Sequence, residues 1–179
     1  MRKPVALIGG SGFIGTRLAG RPLASGRPIR IIDIATKKIV KELPRRGIFQ
    51  QMYWSPDGNR VLVSASNEKG GHALTLGVMN ANGGQFQDLS IPTMVSKVVW
   101  SEDNRTIYYA LPGSLPETAV LPNDYFSQSL PSKDSFWKMN VESGKRTRLV
   151  ELSDVTKSFD STGLFLAPGE ETLFFTDRQ

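Results

Sequence analysis

The chain has 179 residues, 39% of them hydrophobic and 22% charged, with a formal net charge of +5. That length holds one good core and is short for two. Its lack of cysteine excludes a disulfide framework and a thiolate metal site while leaving the compartment open.

Charge is spread unevenly. Residues 1–47 carry 11 Lys or Arg against Asp33 and Glu42, a net of +9, while the remaining 132 residues carry 11 against 15, a net of −4. Apart from Phe13 and Phe49, the basic end has no aromatic rings on which bases could stack, so it reads as a solvated surface and not as a nucleic-acid site. No apolar run approaches the ~18–20 residues that span a bilayer, and the glycine-rich start is a poor signal segment. The 17 glycines and 11 prolines, without a collagen-like period, announce many turns.

The first predicted element is a strand, glycine turn and helical segment over "VALIGGSGFIGTRLAG", residues 5–20, followed by a strand in "PIRIIDI". Gly9, Gly12 and Gly15 stand where a tight turn, close approach to a pyrophosphate and close helix–strand packing are needed. Asp33 follows Gly15 by 18 residues at a strand end. This stretch resembles the opening of the extended short-chain dehydrogenases and sugar-nucleotide epimerases. The resemblance implies NAD or NADP binding, with Asp33 on the adenosine ribose. Gly20 and Pro22 fall inside the expected helix, at a cost of ~1 and ~3 kcal/mol. None of the four tyrosines has a lysine four residues later to complete a Tyr-x-x-x-Lys pair, and no further βαβ unit follows. Nicotinamide-cofactor affinity is accordingly expected to be no tighter than ~1 mM.

From residue 31 onward the sequence repeats itself. "YWSPDGNRVLVSAS" (53–66) matches "VWSEDNRTIYYALP" (99–112), placing Trp54 and Trp100 46 residues apart, and a degenerate third copy, "FLAPGEETLFFTD", occupies 165–177. A second unit recurs in "IIDIATKKIVKEL", "GVMNANGGQFQDL" and "FWKMNVESGKRTRLVEL", with Thr36, Asn82 and Ser143 at the turn, spaced by 46 and 61. Each unit is a hairpin. Pro56 presets φ and Gly58 accepts a positive φ in the first kind, and Asn82-Gly83 and Ser143-Gly144 reverse the chain in the second. Two hairpins per period make four strands, the content of one propeller blade.

These units resemble the blade repeats of TolB-like and WD-type β-propellers over residues ~30–178. The resemblance implies a mainly β fold: a partial β-propeller of four-stranded antiparallel blades, about three blade equivalents, with a short α/β segment at the N-terminus. The divisions are 1–28 for the dehydrogenase-like segment, 29–46 for a final hairpin, 47–93 and 94–152 for two blades, and 153–179 for an opening hairpin. Trp54 and Trp100 are expected at equivalent buried sites. Closed propellers take at least ~4 blades, so exposed blade edges should lead to self-association or to binding of another protein.

The second blade carries 61 − 46 = 15 extra residues in the segment 111–135, which has four prolines and reads as a surface loop. Loops on a rigid scaffold carry binding specificity, which makes Tyr125 and Phe126 the candidate partner contacts. His72, the only histidine, lies in the loop-like "NEKGGHALT", and no G-x-S-x-G nucleophile elbow is present. No catalytic and no metal-ligating set is predicted. The function expected is non-enzymatic protein binding or scaffolding, the alternative being NAD(P) binding.

Overall fold

A computed structural model of the chain describes residues 5–7, 29–33, 38–42, 48–66, 73–113, 115–121, 123–127 and 130–178. Gly9, Gly12, Gly15 and His72 lie outside these residues.

A three-stranded sheet joins β1 (Val5–Leu7), β2 (Ile29–Asp33) and β3 (Lys38–Glu42), with β1 parallel and β3 antiparallel to β2. Two four-stranded antiparallel sheets follow. The first blade is β4 (Ile48–Trp54), β5 (Arg60–Ser66), β6 (Leu74–Asn80) and β7 (Gln87–Asp88), in sequence order. The second is β8 (Val98–Trp100), β9 (Thr106–Pro112), β10 (Asp134–Asn140) and β11 (Arg146–Arg148), also in sequence order. A two-stranded sheet, β12 (Ser161–Leu166) and β13 (Leu173–Asp177), completes the described residues. A four-residue helix, α1 (Asn123–Phe126), lies in the long β9–β10 connection.

The first hairpin of each unit reverses over the same four positions, the third turn differing in that Gly169 also has a positive φ, +82°, where Asp57 and Asp103 do not. Gly58, Asn104 and Glu170 stand at the same turn position with φ of +72°, +58° and +60°. Their amides donate to the carbonyls of Ser55, Ser101 and Ala167. Asp57, with its donors Ser55 and Asn59, and Asp103, with Thr106 and Arg105, cap the two full turns. The turns are also joined between blades. Asn104 accepts from the Asp57 amide at 2.9 Å. Glu170 accepts from the Glu102 amide at 2.6 Å and from the Ser101 hydroxyl at 2.7 Å. Polar residues in the left-handed region thus serve as inter-blade acceptors, which a glycine could not do.

β5 is buried without interruption from Val61 to Ser66, as a strand covered on both faces is. Between the first and second blades, Leu62, Leu76 and Val78 pack with Val98, Trp100, Ile107, Tyr109 and Met139. On its other face the second blade offers Val99, Ala110 and Phe136 to Leu164, Leu166, Leu173 and Phe175 of the β12–β13 hairpin. Trp100 is buried and its indole N–H donates to the Tyr53 carbonyl. Trp54 occupies the matching register but is only half-buried. The equivalence of the two tryptophans therefore holds in register and not in burial: the face that carries Trp54 is turned away from the second blade.

Candidate functional site

The strand connections sort to two ends of the stacked sheets. Tight hairpin turns gather on one, here called the turn face. The β9–β10 connection and the crossings between blades gather on the other, the loop face.

On the loop face the long connection is held down. Ala119, Leu121 and Tyr125 pack with Leu74 and Met94 in an apolar cluster of their own. Beneath them Lys97, which precedes β8, is 0% exposed. Its ammonium donates to Asp134 Oδ2 at 2.6 Å, Asp160 Oδ1 at 3.1 Å, Ser132 Oγ at 3.0 Å and the Ser161 carbonyl at 2.6 Å. Asp134 also accepts from the Ser161 amide and hydroxyl, and Arg178 stands 3.7 Å from Asp160. Two cations thus face two carboxylates, the balance a buried charge cluster needs. Burial alone would raise the Asp160 carboxyl, but hydrogen bonds from Ser132 and Lys97, with the charges of Lys97 and Arg178, outweigh it and hold the carboxyl below its ordinary value. Both cations lie over the Tyr125 ring, Lys97 at 4.7 Å and Arg178 at 3.7 Å from its centroid. Desolvation pushes its phenol up, against the opposing influence of Arg178 and Lys97.

Tyr125, a predicted contact residue, is therefore 1% exposed and pins the loop to the blades. Phe126 closes α1; its side chain lies outside the described set. Lys97, Ser132, Asp134, Asp160 and Arg178 escape sequence reasoning. Their one signal is that Lys97, Asp134 and Asp160 all sit at strand entrances.

The turn face carries an open cleft of about 620 Å³ between the second blade and the 167–172 turn, lined by Glu102, Asp103, Tyr108, Lys138, Lys145 and Glu170 among others. A smaller cleft of about 190 Å³ lies between the first and second blades. The face of β12–β13 turned away from the second blade exposes Phe165 and Phe174 at 54% and 45%. Their rings stack with centroids 4.9 Å apart. These two residues match Val99 and Tyr108 of the second blade, and Tyr53 and Leu62 of the first, where the face is covered.

The register also locates Asp33. It pairs with Lys38, the four residues between them, 34–37, lying outside the described set. In the complete blades, continuing the ladders places Asn80 opposite Gln85 and Asn140 opposite Lys145, again across four residues. Asn80 and Asn140 cap those turns by accepting from backbone amides. Asp33 thus takes the ladder position that Asn80 and Asn140 hold in the complete blades.

No protein-family model and no curated protein matches the sequence. Solved structures do match. The tricorn protease aligns at TM-score 0.53 and 15% identity, over 80% of this chain and 12% of that one. TolB from Acinetobacter baumannii aligns at 0.50 and 12%, over 79% and 29%. A protein described as a TolB from Agrobacterium tumefaciens aligns at 0.49 and 18%, over 76% and 42%. The chain spans less than half the length of each, and the likeness is one of fold.

Proposed function

We propose that the chain is a non-catalytic propeller module that works by binding protein, as partner or as scaffold. The observation that carries this reading is the exposed Phe165–Phe174 stack on an ordered hairpin whose outer edge has no strand beside it among the described residues. Apolar surface of this kind marks an interaction site, and an open strand edge adds backbone donors and acceptors to it. The propeller fold of the similar solved structures supports the same reading. Residues 29–179 form this module, and residues 1–28 are the dehydrogenase-like segment joined to it by the β1–β2 pairing. On the loop face, Tyr125 holds the loop and Phe126 stays the candidate contact. Sedimentation velocity tests the idea: the wild-type chain should associate with itself or with protein from its own cell extract, and Phe165→Ser/Phe174→Ser should abolish both. Unchanged association in a folded double variant would refute it.

A second reading, NAD or NADP binding through Gly9, Gly12, Gly15 and Asp33, draws on the parallel pairing of β1 and β2, the strands that flank the glycines. Against it stands the ladder position of Asp33, which is the one that the capping residues Asn80 and Asn140 take in the complete blades. Calorimetric titration with both cofactors separates the two readings.

A further inference from the structure

The junctions on the two sides of the second blade are fastened by different chemistry. Toward the first blade the polar bonds end on neutral oxygens. The Asp57 amide donates to Asn104 Oδ1 at 2.9 Å, the Val95 amide to Ser64 Oγ at 2.7 Å, the Trp100 indole to the Tyr53 carbonyl at 3.3 Å, and Gln87 and Arg146 to the Val141 and Leu89 carbonyls. The exception is Glu142, which pairs with Arg60 at the exposed rim, where an ion pair contributes little. Toward the β12–β13 hairpin, carboxylates accept at both ends of the junction. On the turn face Glu170 takes the Ser101 hydroxyl at 2.7 Å and the Glu102 amide at 2.6 Å. On the loop face Asp134 of the second blade takes the Ser161 amide at 2.7 Å, and Asp160 of the hairpin takes Ser132 at 2.9 Å and Lys97 at 3.1 Å.

We infer that the junction between the second blade and β12–β13 is an acid-sensitive release: protonation of Asp134, Asp160 and Glu170 frees the hairpin from the blade while the first and second blades stay joined. This goes beyond the protein-binding reading and does not depend on it. The reason lies in Lys97, which is 0% exposed and has Asp134 and Asp160 as its counter-charges. Protonating both leaves a buried cation with no anion against it, a costly arrangement in a fold. Separation of hairpin and blade relieves that cost by opening Lys97 to water. The groups facing the three carboxylates set the sign. Asp134 meets Lys97, and Asp160 meets Lys97 and Arg178, with the Tyr125 ring against both cations. Asp177 accepts from the Asp160 amide and pairs with Lys157. Glu170 shares the large cleft with Glu102, Asp103, Tyr108, Lys138 and Lys145. At Asp160 burial is outweighed by Ser132, Lys97 and Arg178, and the carboxyl is held below its ordinary value. The fastening is therefore complete above the ordinary carboxyl range and is lost as pH falls through the depressed value. The hairpin so freed is the one that carries Phe165 and Phe174.

Hydrogen exchange of the full chain, corrected for the intrinsic effect of pH on exchange, reads this. The Asp134 amide donates across the junction to the Phe159 carbonyl at 2.9 Å, so it reports separation without itself being bonded to a carboxylate. The Val95 amide does the same for the other junction. From about pH 7 to about pH 3, protection at Asp134 should fall by on the order of a hundredfold and at Val95 by less than about tenfold. Lys97→Met, with no cation to strand, should lose most of the fall at Asp134. Glu170→Gln, a change on the half-buried turn face that leaves the Lys97 cluster intact, should remove the acid response of the Glu102 amide and keep that of Asp134. No fall at Asp134 in acid, an equal fall at Asp134 and Val95, or an acid response in either variant unchanged from that of the wild-type chain would overturn the inference. None of these readouts measures binding, so the protein-binding reading stands or falls separately.

Discussion

Replacing Lys97 by Met tests the buried cluster that ties the loop face together. The substitution replaces the four-carbon stem by one of about the same length and removes the ammonium that Asp134 and Asp160 share, each within 3.1 Å. Breaking a buried pair from one side costs on the order of 3–5 kcal/mol. Asp134 keeps the Ser161 amide and hydroxyl, and Asp160 keeps Ser132 and Arg178, so the lower end applies, about 3 kcal/mol. For a chain of this size that lowers Tm by roughly 6–12 °C. Urea and thermal unfolding of Lys97→Met, Asp134→Leu and the double variant measure it. The double variant should lose less than the sum of the singles, because the carboxylate left unpaired is then absent. The pH dependence gives the sign of the effect. The Asp160 carboxyl is depressed in the folded chain, so its stabilisation is present above the ordinary carboxyl range and is lost as pH falls through the depressed value. Without Lys97 the carboxyl takes up a proton more readily, and the penalty of the variant should shrink as the solution is acidified. A loss under ~1 kcal/mol at pH 7, or one equal at pH 7 and in acid, would refute the account, since packing alone does not titrate.

Asn104→Ala should destabilise more than Asn104→Gly, by about 1 kcal/mol, because both remove the acceptor for Asp57 but only alanine is strained at φ +58°; urea midpoints give the difference. Tyr125→Phe should cost about 1–3 kcal/mol, because its buried hydroxyl, besides donating to the Ser161 carbonyl, accepts from the cations Lys97 and Arg178, and Tyr125→Ala should cost more through the lost ring. Limited proteolysis within 113–133 should quicken in the alanine variant alone. Gly77→Ala should displace Phe86, whose ring lies where the new methyl would go, and a fall in thermal midpoint with altered near-ultraviolet dichroism would register it. Titration with NAD(H) or NADP(H) should show affinity no tighter than ~1 mM, whereas micromolar binding abolished by Gly12→Val would make the glycine stretch the functional centre.

The hairpins, their turns and the blade period are written along the chain, because each depends on residues within a few positions of one another. Pro56 and Gly58 set one turn, Ser143 and Gly144 another, and alternation within a strand marks its two faces. The same locality explains why Asp33 is ambiguous in sequence: a strand-end carboxylate suits a ribose or a hairpin cap, and pairing with Lys38 is what puts it at the ladder position of Asn80 and Asn140. Burial is another matter. Trp54 and Trp100 share a register, but one is half-buried and the other covered, since cover comes from a neighbouring blade and not from the tryptophan's own hairpin. Tyr125 looks like a contact residue in a proline-rich loop and is instead buried against Lys97 and Arg178, 28 and 53 residues away in sequence. A charge can be buried only where its counter-charges arrive with it, and stacking of the blades is what brings Lys97, Asp134 and Asp160 to one point.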